Sequence, residues 1–278
     1  MGIFWIASYP KSGNTWVRSF IANVISERRP VPLNKLGAFC ASEATATWYK
    51  PYGDVETLDA RPSKENMELR QMVQERAAVN AAPRDILLKT HNLHADYLGL
   101  PLVREDLTVG GVYMLRDPRD VAVSLAAHSG SSIDEAIALM KKPKAAIGPN
   151  GPMQGRQMFE IVGDWSSHVS SWTSKWHPRI TVFRYEDCLA DPEGTLGKLP
   201  PFLGITKDLW RIKAALAASS FESLKQIEAE QGFNEKSAHT ETFFARGTAG
   251  GWREVLSDAQ ARKIERDHRK VMTRFGYL

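Results

Sequence analysis

Short apolar runs alternate along the chain with segments in which apolar residues recur at helical spacing. The first run, IFWIAS at residues 3–8, is rich in strand formers and is bounded by Pro10 and Gly13, which predicts a buried strand. From Thr15 onward, apolar residues recur every three or four positions, which predicts an amphipathic helix directly after a short loop. Further strands are predicted at 86–89, 112–115 and 180–183, and further helices from Pro118 and at 63–81, 159–176 (with Trp176 on its apolar face), 206–217, 220–230 and 257–274.

This alternation of strands and helices is typical of an α/β protein. It predicts a P-loop-like, three-layer α/β/α fold with a central, mainly parallel sheet. Ligands of such sheets bind at the carboxyl ends of the strands. Lys11, His91, Arg116 and Tyr185 each follow a predicted strand, so we expect them at this edge of the sheet.

Neither an internal repeat nor a low-complexity segment divides the sequence, which predicts a single domain over residues 1–278. Two intervals are read as loop insertions, at about 27–62 and 129–158. The first holds six prolines and glycines and several aromatic residues, and residues 143–157 hold three prolines and three glycines. The first insertion is a candidate lid over a bound substrate.

Composition and charge exclude several classes of partner. The 278 residues are 43% hydrophobic and 24% charged, with a formal net charge of +4, and no block of five or six like charges occurs. We therefore expect no nucleic-acid partner. Cys40 and Cys188 lack metal-ligand spacing, which predicts buried or free thiols. The N-terminus lacks the features of a secretion signal and no apolar run is long enough to span a membrane, so the expected location is cytoplasmic. The oligomeric state is left open.

The strongest local motif is YPKSGNTW at residues 9–16, between the first strand and the first helix. A glycine-containing loop at a helix N-terminus presents backbone amides and the positive end of the helix dipole to an anion. Lys11 adds a charge, and the next residues add short polar donors. Because Lys11 precedes Gly13, the loop differs from the G-x-x-x-x-G-K-[ST] loop of ATPases. The alternative is a plain turn in which Ser12, Asn14 or Thr15 caps the helix.

The string resembles the 5′-phosphosulfate loop, Tyr-Pro-Lys-Ser-Gly-Thr-Thr-Trp, of the cytosolic-type sulfotransferases that use 3′-phosphoadenosine 5′-phosphosulfate (PAPS), and only Asn14 departs from it. The segment VYMLRDPRDVAVSLAAH resembles the family's 3′-phosphate segment, in which Arg116 and Ser124 would hold that phosphate. The planar fork of arginine suits phosphate oxygens. An ion pair between Arg116 and Asp120 is the alternative. The chain is identified as a bacterial-like member of this family.

Lys89-Thr90-His91 resembles the family's Lys-Thr-His segment. The resemblance implies that His91 is the general base and that Lys89 contacts the transferring group. The alternative is that His91 is a structural residue whose hydrogen bonds are satisfied within the protein.

Three weaker segments resemble the parts of the family that hold the nucleotide. Tyr185 corresponds to a tyrosine that contacts the adenine side, and Ser219 and Phe221 correspond to residues that flank the adenine. The alternatives are a helix cap for Ser219 and a core position for Phe221. Arg246 and Gly247 lie in a segment that wraps the 3′-phosphate in the family. Ala245 replaces a cation of that segment and Gly251 replaces an acidic residue.

The resemblance implies an enzyme that transfers a sulfuryl group from PAPS to a hydroxyl or amine and releases 3′-phosphoadenosine 5′-phosphate (PAP). No metal is expected, since Asp117, followed at once by Pro118, is read as structural. A non-catalytic nucleotide-binding protein and a P-loop kinase-type phosphotransferase are the alternatives. The implied catalytic residues are His91, Lys11, Lys89 and Ser124, and the implied nucleotide-binding residues are Lys11, Ser12, Gly13, Asn14, Thr15, Trp16, Arg116, Ser124, Tyr185, Ser219, Phe221, Arg246 and Gly247.

The expected acceptor is a small molecule: a phenol, an alcohol, or a glycosylated or aromatic metabolite. We expect both insertions on the acceptor side. Large apolar residues in and directly beside them are candidates to line an acceptor pocket, with coverage of the core as the alternative. These residues are Trp48, Tyr49, Tyr52, Met153, Met158 and Phe159.

Overall fold

The structure, a computed structural model, describes residues 2–26, 29–174 and 179–278. Trp176, predicted on the apolar face of a helix, lies outside these residues. In chain order the strands are β1 Ile3–Ser8, β2 Ala41–Ser42, β3 Ile86–Thr90, β4 Asp96–Tyr97, β5 Leu100–Pro101, β6 Thr108–Leu115, β7 Ala146–Ile147, β8 Glu160–Ile161 and β9 Ile180–Arg184.

A five-stranded sheet has the order β2-β3-β1-β6-β9. β1 pairs in parallel with β3, in a register that runs from Ile3 opposite Ile86 to Ala7 opposite Thr90. All six residues of β1 are buried, which explains why its sequence is continuously apolar rather than alternating. β4 with β5 and β7 with β8 form two small antiparallel hairpins.

The longer helices depart from the predicted pattern in two regions. Residues Ile133–Met140, predicted as part of a loop insertion, form an eight-residue helix. The helix predicted at 159–176 begins only at Trp165: Gly163 is left-handed with φ 58°, and the Asp164 side chain caps the helix by accepting from the Ser167 amide. Residues 160–161 form β8 instead. The helices are α1 Asn14–Ile25, α2 Ala46–Tyr49, α3 Lys64–Ala81, α4 Pro118–Ser129, α5 Ile133–Met140, α6 Trp165–Thr173, α7 Tyr185–Ala190, α8 Leu199–Phe202, α9 Leu209–Ala218, α10 Phe221–Gln231 and α11 Asp258–Arg274.

The chain divides into two compact units. The first unit comprises Met1–Tyr9, Ala41–Tyr113 and Leu139–Val182, and the second comprises Pro10–Cys40, Met114–Ala138 and Phe183–Leu278. The single domain over residues 1–278 stays a prediction.

The two insertions contribute to an apolar core within the first unit. Tyr49, Met153, Met158 and Phe159 are at most 1% exposed and belong to this cluster. They are therefore core residues, and the prediction that they line an acceptor pocket is wrong for these four. Trp48 and Tyr52 are partly buried against the same cluster.

A separate apolar cluster lies in the second unit, where α1 and α10 contribute Ala22, Leu224 and Ile227. Cys40 and Cys188 are buried thiols, as predicted. Within the described ranges, no helix is long and apolar enough to cross a membrane.

Candidate active site

The loop that carries Lys11 has a strained backbone. Lys11 has φ 67° and Gly13 has φ 99°, both left-handed. A Cβ atom at Gly13 would lie 2.9 Å from the Tyr185 ring, so this position requires glycine both for its φ and for space. Gly13 is also the N-cap of α1, and it has no side chain with which to cap the helix. The alternative weighed from the sequence, in which Ser12, Asn14 or Thr15 caps the helix, is therefore wrong.

Other long helices begin differently. Side chains cap α3, α4, α6, α9, α10 and α11 and accept hydrogen bonds from backbone amides of the first turn. At α1 the N-cap residue makes no such side-chain hydrogen bond, and the positive end of the helix dipole favours an anion.

The hydroxyl of Ser12 indicates the same. Ser12 is 1% exposed, and its Oγ has no hydrogen-bond partner in the described part of the chain. Asn14 and Thr15 are also buried. Because a buried hydroxyl without a partner is costly, this loop is suited to an oxyanion ligand that accepts from Ser12.

Arg116, directly after β6, is joined to the same loop. Its guanidinium donates to the Lys11 carbonyl oxygen at 3.1 Å and to the Thr248 carbonyl oxygen at 3.2 Å, and it lies 4.4 Å from the centre of the Tyr185 ring. Trp16 packs edge-on against the same ring, with centroids 5.6 Å apart. Burial raises the pKa of Tyr185, which keeps the phenol neutral beside Arg116. The first two nucleotide motifs therefore form one cluster in the second unit.

The ion pair between Arg116 and Asp120, the alternative weighed from the sequence, is not formed. The Asp120 carboxylate instead accepts from the amides of Gly250 and Trp252, at 2.7 and 2.9 Å. Asp120 thus fixes the glycine-rich end of the segment that carries Arg246.

That segment is shaped by Phe221. Gly247 has φ 63°, and a Cβ atom there would lie 2.3 Å from the Phe221 ring. Arg246 is exposed and donates to the Gly251 carbonyl oxygen at 3.4 Å, which is a long bond. Its guanidinium is therefore held less firmly than that of Arg116.

Ser219 and Ser124, both assigned to the nucleotide from the sequence, differ in burial. The buried Ser219 hydroxyl donates to the Ala215 carbonyl oxygen at 2.8 Å and accepts from Asn23 at 3.1 Å. The cap of α10 is Ser220, not Ser219. Ser124 is half-buried on α4.

The Lys11 ammonium lies 4.3 Å from the centre of the Phe243 ring.

His91 lies in the first unit, immediately after β3. Its Nδ1 is 2.8 Å from the Ser8 carbonyl oxygen and 3.3 Å from the Ser8 hydroxyl. Since a carbonyl oxygen only accepts, the proton of the neutral imidazole lies on Nδ1 and the lone pair on Nε2. A half-buried histidine in this tautomer has the form required of a general base. Lys89, on β3, is 9% exposed.

Two residues that the sequence did not single out hold the backbone of His91. The Glu160 carboxylate accepts from the His91 amide at 2.6 Å, and His168 Nε2 donates to the His91 carbonyl oxygen at 3.0 Å. Burial lowers the pKa of His168 to about 4, so the ring is neutral at pH 7 and accepts the Tyr113 hydroxyl on Nδ1 at 2.8 Å. No sequence pattern marks either residue.

Asp117 is structural, as predicted. Its carboxylate caps α4 by accepting from the Arg119 amide and also pairs with the Arg119 guanidinium at 2.8 Å. Among the described residues, no group of three or more His, Cys, Asp or Glu side chains is placed to hold a metal ion.

Comparison with known proteins identifies the family. The family described as Sulfotransferase domain matches residues 3–276. The chain is 23% identical over 281 residues to the 3-alpha-hydroxysteroid sulfotransferase of Cavia porcellus, a match that covers 97% of this chain and 83% of that protein. It is 27% identical over 176 residues to sulfotransferase 2A1 of Macaca fascicularis, covering 58% of this chain and about half, 56%, of that relative.

Among solved structures, mouse sulfotransferase SULT7A1 complexed with PAP matches with a TM-score of 0.63 at 20% identity, covering 98% of this chain and 84% of that one. This likeness confirms the predicted three-layer α/β class. The family match favours sulfuryl transfer over the two alternatives weighed from the sequence. The chain belongs to the sulfotransferase family, which confirms the resemblance and the prediction of a sulfotransferase enzyme.

Proposed function

We propose that this chain transfers the sulfuryl group of PAPS to a hydroxyl or amine of a small-molecule acceptor and releases PAP. The mouse relative is described as a complex with PAP, which supports the choice of donor. A cytoplasmic location, expected from the sequence, is part of the proposal.

The observation that carries the proposal is the cluster around Lys11 in the second unit. An uncapped helix N-terminus and a buried, unpartnered Ser12 hydroxyl lie in one loop, and Arg116 is hydrogen-bonded to that loop through the Lys11 carbonyl. Such a loop suits the 5′-phosphosulfate, since its amides and its lysine meet negative oxygens. Arg116 supplies the fork for the 3′-phosphate, with Ser124 and Arg246 as further donors.

In the proposed reaction, the acceptor oxygen or nitrogen forms a bond to sulfur while the bond from sulfur to the 5′-phosphate oxygen breaks. The electron pair of the broken bond stays on the phosphate oxygen, so negative charge grows there. Lys11 and the amides that begin α1 stabilise this charge in the transition state more than in the ground state.

The acceptor must also lose its proton. We assign this step to Nε2 of His91, whose lone pair follows from the hydrogen bond between Nδ1 and the Ser8 carbonyl oxygen. Along the chain, Ser8 precedes Lys11 by three residues. Lys89 would contact the transferring group.

For the acceptor, we propose an apolar alcohol or phenol. The support is the character of the first unit near His91: Leu93 and Tyr97 are partly buried against its apolar cluster, with Trp48 and Tyr52. One relative is named a 3-alpha-hydroxysteroid sulfotransferase, which fits an apolar acceptor with a hydroxyl. A screen of alcohols, phenols and glycosides with labelled PAPS tests this choice.

The donor assignment is tested by calorimetry with PAP and with adenosine 5′-monophosphate (AMP), each without added metal. We expect PAP to bind at least about 100-fold more tightly, because two or more charge-assisted hydrogen bonds to the 3′-phosphate are each worth about 1.5–3 kcal/mol. Equal affinity for the two nucleotides would overturn the assignment.

A further inference from the structure

The backbone of His91 is held at both ends by buried side chains, Glu160 at the amide and His168 at the carbonyl. We infer that Glu160 and His168 are positioning residues, whose hydrogen bonds fix the orientation and the tautomer of the His91 ring. This inference rests on the proposed role of His91 as the base.

The buried Glu160 side chain is long enough to reach the backbone of His91. It is 0% exposed, and its Oε1 accepts from the His91 amide at 2.6 Å, the shorter of the two backbone bonds. The residue after it is tied to the same stretch of chain: the Ile161 amide donates to Asn92 Oδ1, and the Leu93 amide donates to the Ile161 carbonyl, both at 2.8 Å. Three consecutive residues, 91–93, are thus fixed to β8.

The strand that carries Glu160 is itself anchored by a buried ion pair. Arg70 and Glu43 are both 0% exposed and are joined at 2.8 Å. Arg70 also donates to the Phe159 carbonyl oxygen and lies 4.8 Å from the centre of the Phe159 ring. An ion pair buried this deeply is costly to bring out of water, so its value lies in fixing one arrangement of the chain. Here it fixes the residue next to Glu160.

His168 holds the other side. Its Nε2 donates to the His91 carbonyl oxygen and its Nδ1 accepts from Tyr113, so both ring nitrogens are used and the ring cannot turn without losing a bond. On the same helix, Trp172 donates to the Asn92 carbonyl oxygen at 3.0 Å. With the backbone of 91–92 held in this way, the imidazole reaches the Ser8 carbonyl oxygen and keeps its proton on Nδ1.

Two substitutions test whether the position of the Glu160 carboxylate oxygen or its negative charge is what matters for His91. Glu160→Gln keeps an oxygen at the same reach and removes the charge, whereas Glu160→Asp keeps the charge and withdraws the oxygen by one methylene. If the hydrogen bond positions His91, Glu160→Asp lowers kcat about tenfold to 100-fold with KM within about threefold, and Glu160→Gln stays within about threefold of the wild type.

A second measurement is independent of turnover. In the ligand-free protein, ¹⁵N NMR of the histidine rings reports which nitrogen of His91 is protonated. We expect the Nδ1–H form in the wild type and in Glu160→Gln, and a mixture of tautomers in Glu160→Asp. His168→Leu, which removes the donor to the carbonyl, should also give a mixture, and His168→Gln, which can still donate, should restore the Nδ1–H form.

Glu228→Asp is the matched control, because it withdraws another buried carboxylate from the backbone amides of Phe243 and Phe244, which are not part of the His91 network. It should lower stability but leave the His91 ring signals unchanged. The inference is overturned if Glu160→Asp keeps wild-type kcat and ring signals, if Glu160→Gln is the impaired variant, or if Glu228→Asp alters the His91 signals as much as Glu160→Asp does. A failure of the proposed function looks different: the ring signals respond as expected, but His91→Ala retains turnover.

Discussion

The surroundings of His91 and the loop of Lys11 differ in whether their hydrogen-bonding groups find partners within the protein. Around His91 the fold supplies the partners: the amide, the carbonyl and ring Nδ1 are each hydrogen-bonded within the first unit. In the loop of Lys11 such partners are missing: the buried Ser12 hydroxyl makes no hydrogen bond to any described residue, and the N-cap of α1 is a glycine, which has no side chain to donate or accept. Arg116 is tethered to the loop through the Lys11 carbonyl, a bond that leaves part of its guanidinium for a ligand.

This contrast follows from the two chemical tasks. A general base acts well when one tautomer and one orientation are fixed before the substrate arrives. A site for a multiply charged anion needs donors that do not satisfy one another, since the anion must provide their hydrogen bonds. The region that must be rigid is complete without ligand, and the region that must bind is completed by it.

The sharpest test of this division is His91→Ala. Because general base catalysis contributes about 10²–10⁴-fold, we expect kcat to fall by that factor once an acceptor is in hand. PAP affinity, measured by calorimetry on the same preparation, should stay within about twofold. A variant that turns over normally would remove His91 from the base role, and one that loses PAP binding as well would show that the two regions are not separable.

The neutral state of the buried His168 predicts a dependence of stability on pH. Its folded pKa of about 4 lies below the ordinary value of 6.5, so the folded state binds this proton less readily than the unfolded chain does. The contribution is fully present above pH 6.5 and is lost as the pH falls toward 4, by about 3 kcal/mol in the free energy of unfolding.

Urea unfolding between pH 7.5 and pH 4 measures this slope. His168→Gln serves as the reference, because carboxyl groups such as Glu43 and Glu186, whose pKa values are raised by burial, contribute equally to both proteins. The wild type should lose more stability than the variant over this range. Parallel curves would show that His168 is not held neutral.

On the side of the nucleotide, Arg116→Ala and Arg246→Ala distinguish a fixed cation from an exposed one. Arg116 is held by two carbonyls and the Tyr185 ring, so we expect its loss to reduce the preference for PAP over AMP about 100-fold. Arg246 is exposed and held by one long bond, and its loss should cost about tenfold or less.

AMP is the internal control in this pair, since it lacks the 3′-phosphate. If Arg116→Ala lowers the affinities for PAP and AMP by the same factor, the arginine supports the loop rather than the phosphate. If Arg246→Ala has the larger effect on the preference, the assignment of the two arginines is reversed.

The sequence predicted what depends on local pattern. Buried β1 is a continuous apolar run, and Pro118 follows the strand end at Leu115, so strands, helix starts and the residues at strand ends were readable. The helix predicted from 159 failed because the apolar spacing continues through Gly163, whose left-handed φ breaks the helix. The spacing of apolar residues does not predict the backbone conformation of a single glycine.

The positioning residues were out of reach for a different reason. Glu160 and His91 are 69 residues apart, and their bond depends on how β8 is fixed to the chain after β3. The same applies to Tyr49 and Phe159, which lie in a buried apolar cluster. The local sequence does not distinguish an aromatic residue that is exposed in a proline-rich loop from one that is packed in a core. Burial at such positions is decided by tertiary packing, which one sequence does not record.

Gly13 combines both kinds of information. The motif alone favours glycine for a turn, but only the structure shows that a Cβ atom would lie 2.9 Å from the Tyr185 ring as well as requiring a left-handed φ of 99°. Gly13→Ala should therefore lower the free energy of unfolding by about 1–3 kcal/mol, measured by urea unfolding at pH 7. Gly37→Ala is the control, since nothing lies within 4 Å of a Cβ atom there. A Gly13→Ala protein as stable as the control would mean that the loop relaxes freely. In that case its left-handed backbone would not be a fixed feature of the N-terminus of α1.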